Sequence, residues 1–211
     1  MILRPVQDSE RIPLTIADSN PDEGWIEIIF QVVGKTTMIL SEAAIGSSVL
    51  DLAGPLGNPT HIEKFGKVLC IGGGVGVAPL YPIIKALHQA GNQVVSIIGA
   101  RSKDLIILEQ EIRQVSDSVF ITTDDGSYGN KGFVSDVFNE LEASGEKFDT
   151  AFVIGPVMMM KVTTSLTTAA GIKTYASLNP IMIDGTGMCG GCRVTVFNQT
   201  KFACVDGPEF D

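Results

Sequence analysis

Three of the four cysteines and one aspartate lie close together near the end of the 211-residue sequence. They are Asp184, Cys189, Cys192 and Cys204, with the spacing D-x4-C-x2-C-x11-C. One known [2Fe–2S] ligand pattern begins C-x4-C-x2-C, and here an aspartate would take the place of the first cysteine. Four anionic side chains on a short loop would suit such a cluster, so these residues are candidate metal ligands.

Glycines surround the candidate ligands, at Gly185, Gly187, Gly190 and Gly191. Cysteines separated by two residues can reach one metal centre only if the loop curls tightly, and glycine adopts the positive φ values this needs at little steric cost. Glycine also lets backbone N–H groups approach the cluster sulfurs, which tunes the reduction potential. The glycines therefore support a cluster-binding loop.

Other interpretations of the same residues stay open. A zinc site of three cysteines and one carboxylate uses similar ligands. A disulfide fits less well, because few, clustered cysteines are typical of a reducing compartment. Asp184 could instead be an ordinary turn residue, since Asp before Gly is common in turns. Cys70 lies in the apolar run KVLCIGGG, where a small buried residue is expected, so it is left out of the ligand set.

The composition limits the classes of partner. A net charge of −9 and a pI near 4.7 argue against nucleic acid and anionic membrane surfaces. No segment approaches the roughly 18 continuous apolar residues of a membrane span. The first residues lack the apolar segment of a secretory signal. We therefore expect a cytoplasmic protein, rich in core residues and of the α/β class.

The first part of the chain is expected to be β-structure of the antiparallel barrel type. The sequence predicts a strand over residues 24–33, then a short helix followed by a strand over 34–54. The chain is expected to begin within a strand, at residues 2 and 3, and the segment is short for a closed barrel.

From Gly66 onward, strands and helices alternate. Strands are predicted at 67–73, 92–100, 118–126, 150–156 and 173–178. Helices are predicted at 78–91, 104–115, 132–145 and 158–170. Such alternation predicts a parallel sheet with helices on both faces.

A glycine-rich turn joins the first of these strands to its helix. The segment GGGVGVAP fits the pattern G-x-G-x-G-x-x-P, with Val77 in place of the last glycine of the common G-x-G-x-x-G. Its candidate nucleotide-binding residues are Gly72, Gly73, Gly74, Gly76 and Pro79. Glycines here let the backbone close on a pyrophosphate at the positive end of a helix. Tight packing of a helix on a strand also uses glycine, so the motif alone does not prove binding.

Further candidates lie at the carboxyl ends of other strands, where open α/β sheets bind ligands. Arg101 follows the second strand, and no carboxylate stands there to accept a hydrogen bond from a ribose 2′-hydroxyl. An arginine at this point could pair with a 2′-phosphate, which favours NADP. A solvated turn explains the presence of Arg101 equally well. The others are Asp124 and Asp125 in TDDGSYG, and Gly155 and Pro156 in GPVMMM. At least two of the three methionines are expected to lie on a helix and face the protein core.

Taken together, these residues make the sequence resemble the ferredoxin–NADP reductase superfamily. Within it, the sequence resembles the branch that holds the electron-transfer subunit of dihydroorotate dehydrogenase and the small subunits of NADH-dependent ferredoxin:NADP oxidoreductase and sulfide dehydrogenase. The resemblance covers nearly the whole chain. Aspartate at the first ligand position and the closing FACVDGPEFD are more similar to the ferredoxin:NADP oxidoreductase small subunits.

The resemblance also implies a flavin site in the first part of the chain. Arg11 would pair with the FAD pyrophosphate, since a guanidinium suits phosphate oxygens. The residues implied to line the isoalloxazine are Pro13, Leu14 and Thr15, with Thr15 near flavin N5. The residues implied to give backbone and hydroxyl donors to the pyrophosphate are Gly34, Thr36 and Thr37. Without the resemblance, both segments would be ordinary surface turns.

The resemblance implies an electron-transfer flavoprotein subunit in which NAD(P)H, FAD and a [2Fe–2S] cluster exchange electrons and no side chain is itself catalytic. Its domains would be an FAD-binding β-barrel (1–63) short of N-terminal strands, an NAD(P)-binding α/β domain (64–178) and a cluster segment (179–211). The expected partner is a larger redox subunit with further flavin or iron–sulfur centres, through which ferredoxin could be reached. Two rival functions are electron transfer for an NAD-dependent dihydroorotate dehydrogenase and, from another class, a nucleotide sensor with structural zinc.

Overall fold

The computed structural model describes all 211 residues, Met1–Asp211. The chain forms two compact units: residues 1–59 together with 178–210, and residues 60–177 together with Asp211. The first unit contains antiparallel strands, and the second contains a parallel sheet with helices. The predicted fold class is therefore confirmed. None of its helices combines the length and the apolar character needed to cross a membrane.

In chain order the first unit begins with β1 (Ile2–Arg4), β2 (Ile12–Pro13), β3 (Ile16–Asn20), β4 (Trp25–Ile28), α1 (Lys35–Ser41) and β5 (Asp51–Ala53). The second unit contains β6 (Lys67–Gly73), α2 (Val77–Gln89), β7 (Gln93–Ala100), α3 (Glu109–Gln114), β8 (Ser118–Thr123), β9 (Asn130–Lys131), α4 (Val134–Ala143), β10 (Thr150–Ile154), α5 (Val157–Ala169) and β11 (Lys173–Ser177). The chain then returns to the first unit with β12 (Arg193–Val196), β13 (Gln199–Phe202), α6 (Ala203–Asp206) and β14 (Glu209–Phe210).

The first unit is built from short antiparallel sheets. Strand β1 lies between β2 and β5, while β3 pairs with β4 and β12 with β13. The helix-then-strand prediction for residues 34–54 is confirmed by α1 and β5. The strand predicted over 24–33 is too long, because β4 ends at Ile28. Val32 and Val33 beyond it are 51% and 84% exposed, and a β-branched run without a paired neighbour does not fix a strand.

The second unit contains a parallel sheet in the order β11-β10-β6-β7-β8-β9. Strand β6 is buried along almost its whole length, which explains its continuous apolar sequence. Cys70 lies in the middle of β6 with no exposed surface, as predicted, and burial raises the pKa of its thiol. Because the strands are parallel, their carboxyl ends, and the loops that follow, meet at one edge of the sheet.

The helix predicted over residues 104–115 is broken into two pieces. A 3-10 turn covers Lys103–Leu105, and α3 covers only Glu109–Gln114. The three apolar residues between them pack partly buried against the core, and Leu108 adopts a positive φ of 56°. Three consecutive apolar residues cannot all face inward from one helix, so the chain leaves the helical path to bury them.

Two glycines of the turn after β6 have different roles. A Cβ atom on Gly76 would lie 2.8 Å from the Gly155 Cα and 2.8 Å from the Ile154 carbonyl oxygen. Gly74 is different, since it has a positive φ of 55° and open space where a Cβ would stand. Gly76 is therefore required for backbone packing, whereas Gly74 is required for backbone conformation.

We predict that Gly76→Ala lowers the free energy of unfolding by about 3 kcal/mol, because the new methyl overlaps backbone that cannot rotate away. Gly74→Ala, the matched control, should cost only about 1 kcal/mol for a left-handed alanine. Urea denaturation followed by circular dichroism measures both. Equal losses in the two variants would contradict this assignment.

Candidate functional site

The hairpin of β12 and β13 brings two cysteines together. Arg193 pairs with Phe202 at the open end of this hairpin, so Cys192, just before β12, lies beside Cys204, just after β13. Their Sγ atoms are 3.2 Å apart, and the Cys204 N–H points at the Cys192 sulfur at 3.5 Å. Both side chains are buried, and burial, followed by the hydrogen bond with Cys192, raises the pKa of Cys204 to about 11.

Asp184 and Cys189 form a second pair in the preceding loop. One Asp184 carboxylate oxygen accepts the Cys189 N–H at 2.8 Å, and the other accepts the Thr186 N–H at 2.8 Å. The bond from the Thr186 N–H is the main reason that the pKa of Asp184 is lowered. The Gly191 N–H donates to the Cys189 sulfur at 3.4 Å. Positive φ values occur, as predicted, at Gly185, Gly187 and Gly190.

Cys192 and Cys204 thus meet through their sulfur atoms, whereas Asp184 contacts Cys189 through its backbone N–H. No three histidine, cysteine or acidic side chains converge on one point. A [2Fe–2S] cluster has two irons, each bound by two protein ligands, whereas a structural zinc needs four ligands around one ion. All four cysteines of the chain are free thiols. Three thiols and one carboxylate on tight turns, with two of the sulfur atoms side by side, fit a two-iron cluster.

The first group of residues implied to bind flavin lies on β2 and directly before and after it. Arg11 contacts the Asp51 carboxylate at 3.3 Å, and Arg4 binds the same carboxylate at 2.7 Å. Desolvation would raise the pKa of Asp51, but the hydrogen bonds from Arg11 and Arg4 outweigh it and lower this pKa. The Arg11 side chain is 63% exposed. Its guanidinium has five N–H donors and can therefore bind an anionic partner in addition to Asp51.

The neighbouring flavin residues have different surroundings. Leu14 exchanges backbone hydrogen bonds with Met1, which fixes the end of β2, and Thr15 is exposed. In the second segment the Thr37 hydroxyl accepts the N–H groups of Val33 and Gly34 at 3.1 and 3.0 Å, while Thr36 is buried. Thr37 therefore orders this turn by itself.

The glycine-rich turn and the GPVMMM turn meet at the carboxyl edge of the parallel sheet. The place where a Cβ of Gly73 would stand is filled by the Met159 sulfur, with Pro156 at 3.2 Å. Met159 also covers Gly155, whose Cβ would lie 2.7 Å from its methyl carbon. The structure therefore brings together the predicted residues of these two turns. Of the three methionines, only Met160 is fully buried, and Met158 is 67% exposed.

The loops after β7 and β8 lie beside each other at the same edge. The Asp124 N–H donates to the Ala100 carbonyl at 3.1 Å, and the Asp125 N–H donates to the Arg101 carbonyl at 3.2 Å. Arg101, Asp124 and Asp125 are all exposed. Hydrogen bonds from Ser127 lower the pKa of Asp125 and tie its side chain into its own turn.

These two loops also form a cavity of about 380 Å³ that the sequence did not reveal. The Lys103 ammonium lies 5.2 Å from the centre of the Tyr128 ring, and the Tyr128 hydroxyl donates to Glu109 at 3.0 Å. The residues that line the cavity are Lys103, Ile106, Leu108, Glu109, Gln110, Glu111 and Tyr128. The only signal available was indirect: Lys103 and Tyr128 belong to the two strand-end loops already singled out.

Comparison with known protein families identifies two regions of the chain. Residues 179–211 match the profile of the iron–sulfur cluster binding domain of dihydroorotate dehydrogenase B. Residues 70–165 match the profile of the oxidoreductase NAD-binding domain. The first match covers all four candidate ligands, and the second contains the glycine-rich turn, Arg101, the aspartates and Gly155.

Relatives match over the full length of the chain. A homologue of the electron transfer subunit of NAD⁺-dependent dihydroorotate dehydrogenase B from Thermotoga maritima is 52% identical over 210 residues, covering 100% of this chain and 74% of the relative. The electron transfer subunit of dihydroorotate dehydrogenase B from Streptococcus pneumoniae serotype 4 is 37% identical over 206 residues, covering 95% of this chain and 80% of that protein.

Solved structures agree with the sequence comparison. A chain of the NADH-dependent reduced ferredoxin-NADP oxidoreductase, described as a case of flavin-based electron bifurcation, superposes with a TM-score of 0.92 at 52% identity. The match covers 99% of this chain and 75% of that one. The cytochrome b5 reductase domain of Ulva prolifera nitrate reductase, at 17% identity and a TM-score of 0.64, shares the fold, with 82% of this chain and 79% of that one covered.

These findings confirm an electron-transfer oxidoreductase subunit of the ferredoxin–NADP reductase type, with FAD, NAD(P)H and a [2Fe–2S] cluster as its cofactors. They also favour iron–sulfur over structural zinc in the C-terminal segment. Its relatives are subunits of larger complexes. The chain belongs to the family of the dihydroorotate dehydrogenase B electron transfer subunit and its homologues.

Proposed function

We propose that this chain passes electrons between NAD(P)H and a [2Fe–2S] cluster by way of FAD, within a complex of the ferredoxin:NAD(P) oxidoreductase type. The observation that carries the proposal is that the Cys192 and Cys204 sulfurs lie side by side while the Asp184 carboxylate holds the backbone of the loop that carries Cys189. These four residues would hold the cluster. A carboxylate in that set is the feature that the sequence shares with ferredoxin:NADP oxidoreductase small subunits.

The chain supplies binding and orientation, and the cofactors supply the chemistry. When bound, the flavin exchanges a hydride with the nicotinamide and single electrons with the cluster. Residues 72–76 would hold the nucleotide pyrophosphate against backbone N–H groups, with Gly155 and Pro156 closing the other side. The exposed Arg11 guanidinium and the turn at Gly34 would hold the FAD pyrophosphate. Thr15 would lie near the flavin ring.

A second candidate function is electron transfer for an NAD-dependent dihydroorotate dehydrogenase. The observation that favours it is the 37% identity to the Streptococcus pneumoniae subunit over almost the whole chain. Identity does not separate the two candidates, because the chain is 52% identical both to the oxidoreductase structure and to the Thermotoga maritima homologue of the dihydroorotate dehydrogenase B subunit. The first candidate is preferred because the aspartate at the first ligand position resembles the ferredoxin:NADP oxidoreductase small subunits. Dihydroorotate oxidation by the intact complex distinguishes the two functions.

The cluster segment is also the proposed docking surface for a larger subunit that carries further flavin or iron–sulfur centres. Exposed apolar side chains occur before and between the cysteines of this segment. Ile181 is 77% exposed, Met188 is 88% exposed and Phe197 is 81% exposed. Such residues are expected where one protein surface excludes water against another. Ferredoxin would exchange electrons with the complex through that larger subunit.

The proposed function is tested by the absorption spectrum of the purified complex. We expect flavin bands together with a broad iron–sulfur absorption, and bleaching of both on anaerobic addition of NADH or NADPH. Metal analysis should give two irons for each copy of this chain beyond those that the larger subunit binds. A complex that contains one zinc and no iron at this chain would contradict the proposal.

Substitution of single cysteines tests the ligand set. We predict that Cys204→Ser lowers the iron content and weakens the EPR signal of the reduced [2Fe–2S] cluster, because one iron loses a sulfur ligand. Cys70→Ser is the matched control, since Cys70 is fully buried in β6 and should not bind iron.

Asp184→Ala should lose or destabilise the cluster while FAD stays bound. An unchanged cluster signal in that variant would remove Asp184 from the ligand set.

The tip of the β12–β13 hairpin offers a test of partner docking. Phe197 and Asn198 form its two-residue turn with φ values of 49° and 61°, which glycine and asparagine tolerate but phenylalanine rarely adopts. We predict that Phe197→Asn stabilises the isolated chain by up to about 1 kcal/mol. The same change should weaken binding of the larger subunit about tenfold or more, because an exposed aromatic anchor is lost.

Thermal unfolding and biolayer interferometry with the larger subunit measure the two effects. Asn198→Gly is the control, since it relaxes the same turn and retains the aromatic ring. If Phe197→Asn binds the larger subunit as tightly as the unmodified chain, the hairpin tip is not part of the docking surface.

A further inference from the structure

Arg193 lies directly over the turn between Cys189 and Cys192. It is the first residue of β12, immediately after Cys192. Its guanidinium carbon is 5.9 Å from the centre of the Phe202 ring. One guanidinium nitrogen is 3.6 Å from the place where a Cβ of Gly190 would stand. The positive charge is therefore held within a few ångströms of the turn that carries two of the candidate ligands.

The position of Arg193 is fixed by the hairpin register. Arg193 and Phe202 are directly opposed across β12 and β13, so their side chains lie on the same face of the hairpin. A guanidinium over an aromatic face gains cation–π attraction, and its planar shape suits stacking better than an ammonium group does. The aromatic ring thus holds the charge over the Cys189–Cys192 turn.

The rest of the segment is acidic. Residues 179–211 contain two basic side chains, Arg193 and Lys201, and four acidic ones: Asp184, Asp206, Glu209 and Asp211. An electron added to a cluster that is already bound by four anionic ligands increases the negative charge at this site. A fixed cation near the turn stabilises that reduced state more than the oxidised state.

We propose that Arg193 tunes the cluster by raising its reduction potential, acting through its charge and not as a ligand. The inference rests on the proposed ligand set. Because Arg193 is exposed and solvent screens its charge, the effect is moderate. We expect its removal to shift the ratio of reduced to oxidised cluster roughly threefold to tenfold at a fixed potential, which is about 30–60 mV for a one-electron couple.

The test is an EPR-monitored redox titration of the cluster-loaded protein in three variants. Arg193→Gln should lower the midpoint potential by that amount, because charge is lost while side-chain length is largely kept. Arg193→Lys, which keeps the charge, should shift it less. Lys201→Gln is the charge-matched control: Lys201 pairs with Val194, one rung away and on the opposite face, so its loss should have a smaller effect than the loss of Arg193.

An unchanged potential in Arg193→Gln, or an equal shift in Lys201→Gln, overturns the inference. If Arg193→Gln does not retain the cluster, Phe202→Leu provides the second test, because it keeps the charge but removes the aromatic ring that holds it. That variant should also lower the potential, and an unchanged value contradicts the inference. Failure of the proposed function is distinct: in that case the unmodified protein itself gives no [2Fe–2S] signal.

Discussion

The hydrogen bonds of the Asp184 carboxylate determine the shape of the loop on which the candidate cluster site depends. Four groups that are anionic when they bind iron must stay close together in a chain with a net charge of −9. Before any metal binds, the N–H groups of Thr186 and Cys189 satisfy the Asp184 oxygens, and the Gly191 N–H points at the Cys189 sulfur. Backbone dipoles thus offset part of the repulsion that would otherwise open the loop.

The same loop shows how much of the site could be predicted from the sequence. The residue types and spacing nominate Asp184 and the three cysteines as candidate ligands, because metal ligands must be anionic or basic groups on a tight turn. The pairing of Cys192 with Cys204 depends on the register of β12 against β13, in which Arg193 opposes Phe202. A register is a cross-strand property, which the spacing along the chain does not specify.

In the second unit, prediction succeeded where one local rule decided the outcome. The bounds of β6 follow from its apolar run, which is buried on both faces and ends in glycines. The break before α3 could not be predicted, because the packing of Ile106, Ile107 and Leu108 on the core overrides helix propensity. The cavity beside Tyr128 also depends on a contact between residues that are distant in the sequence. Lys103 and Tyr128 meet only because β7 and β8 end at one edge of the sheet.

The exposed apolar residues of the cluster segment bear on how strongly its few cations would act on the cluster. Contact of a partner with side chains such as Ile181 and Met188 would remove water from around the exposed Cys189 and lower the local dielectric. Fixed charges and backbone dipoles near the cluster would then act more strongly, since solvent screening is what limits them on an open surface. An exposed Arg193 over the Cys189–Cys192 turn would consequently have a moderate influence in the isolated chain and a stronger one in the complex. The reduction potential of such a cluster is set jointly by the hairpin and by whatever covers it.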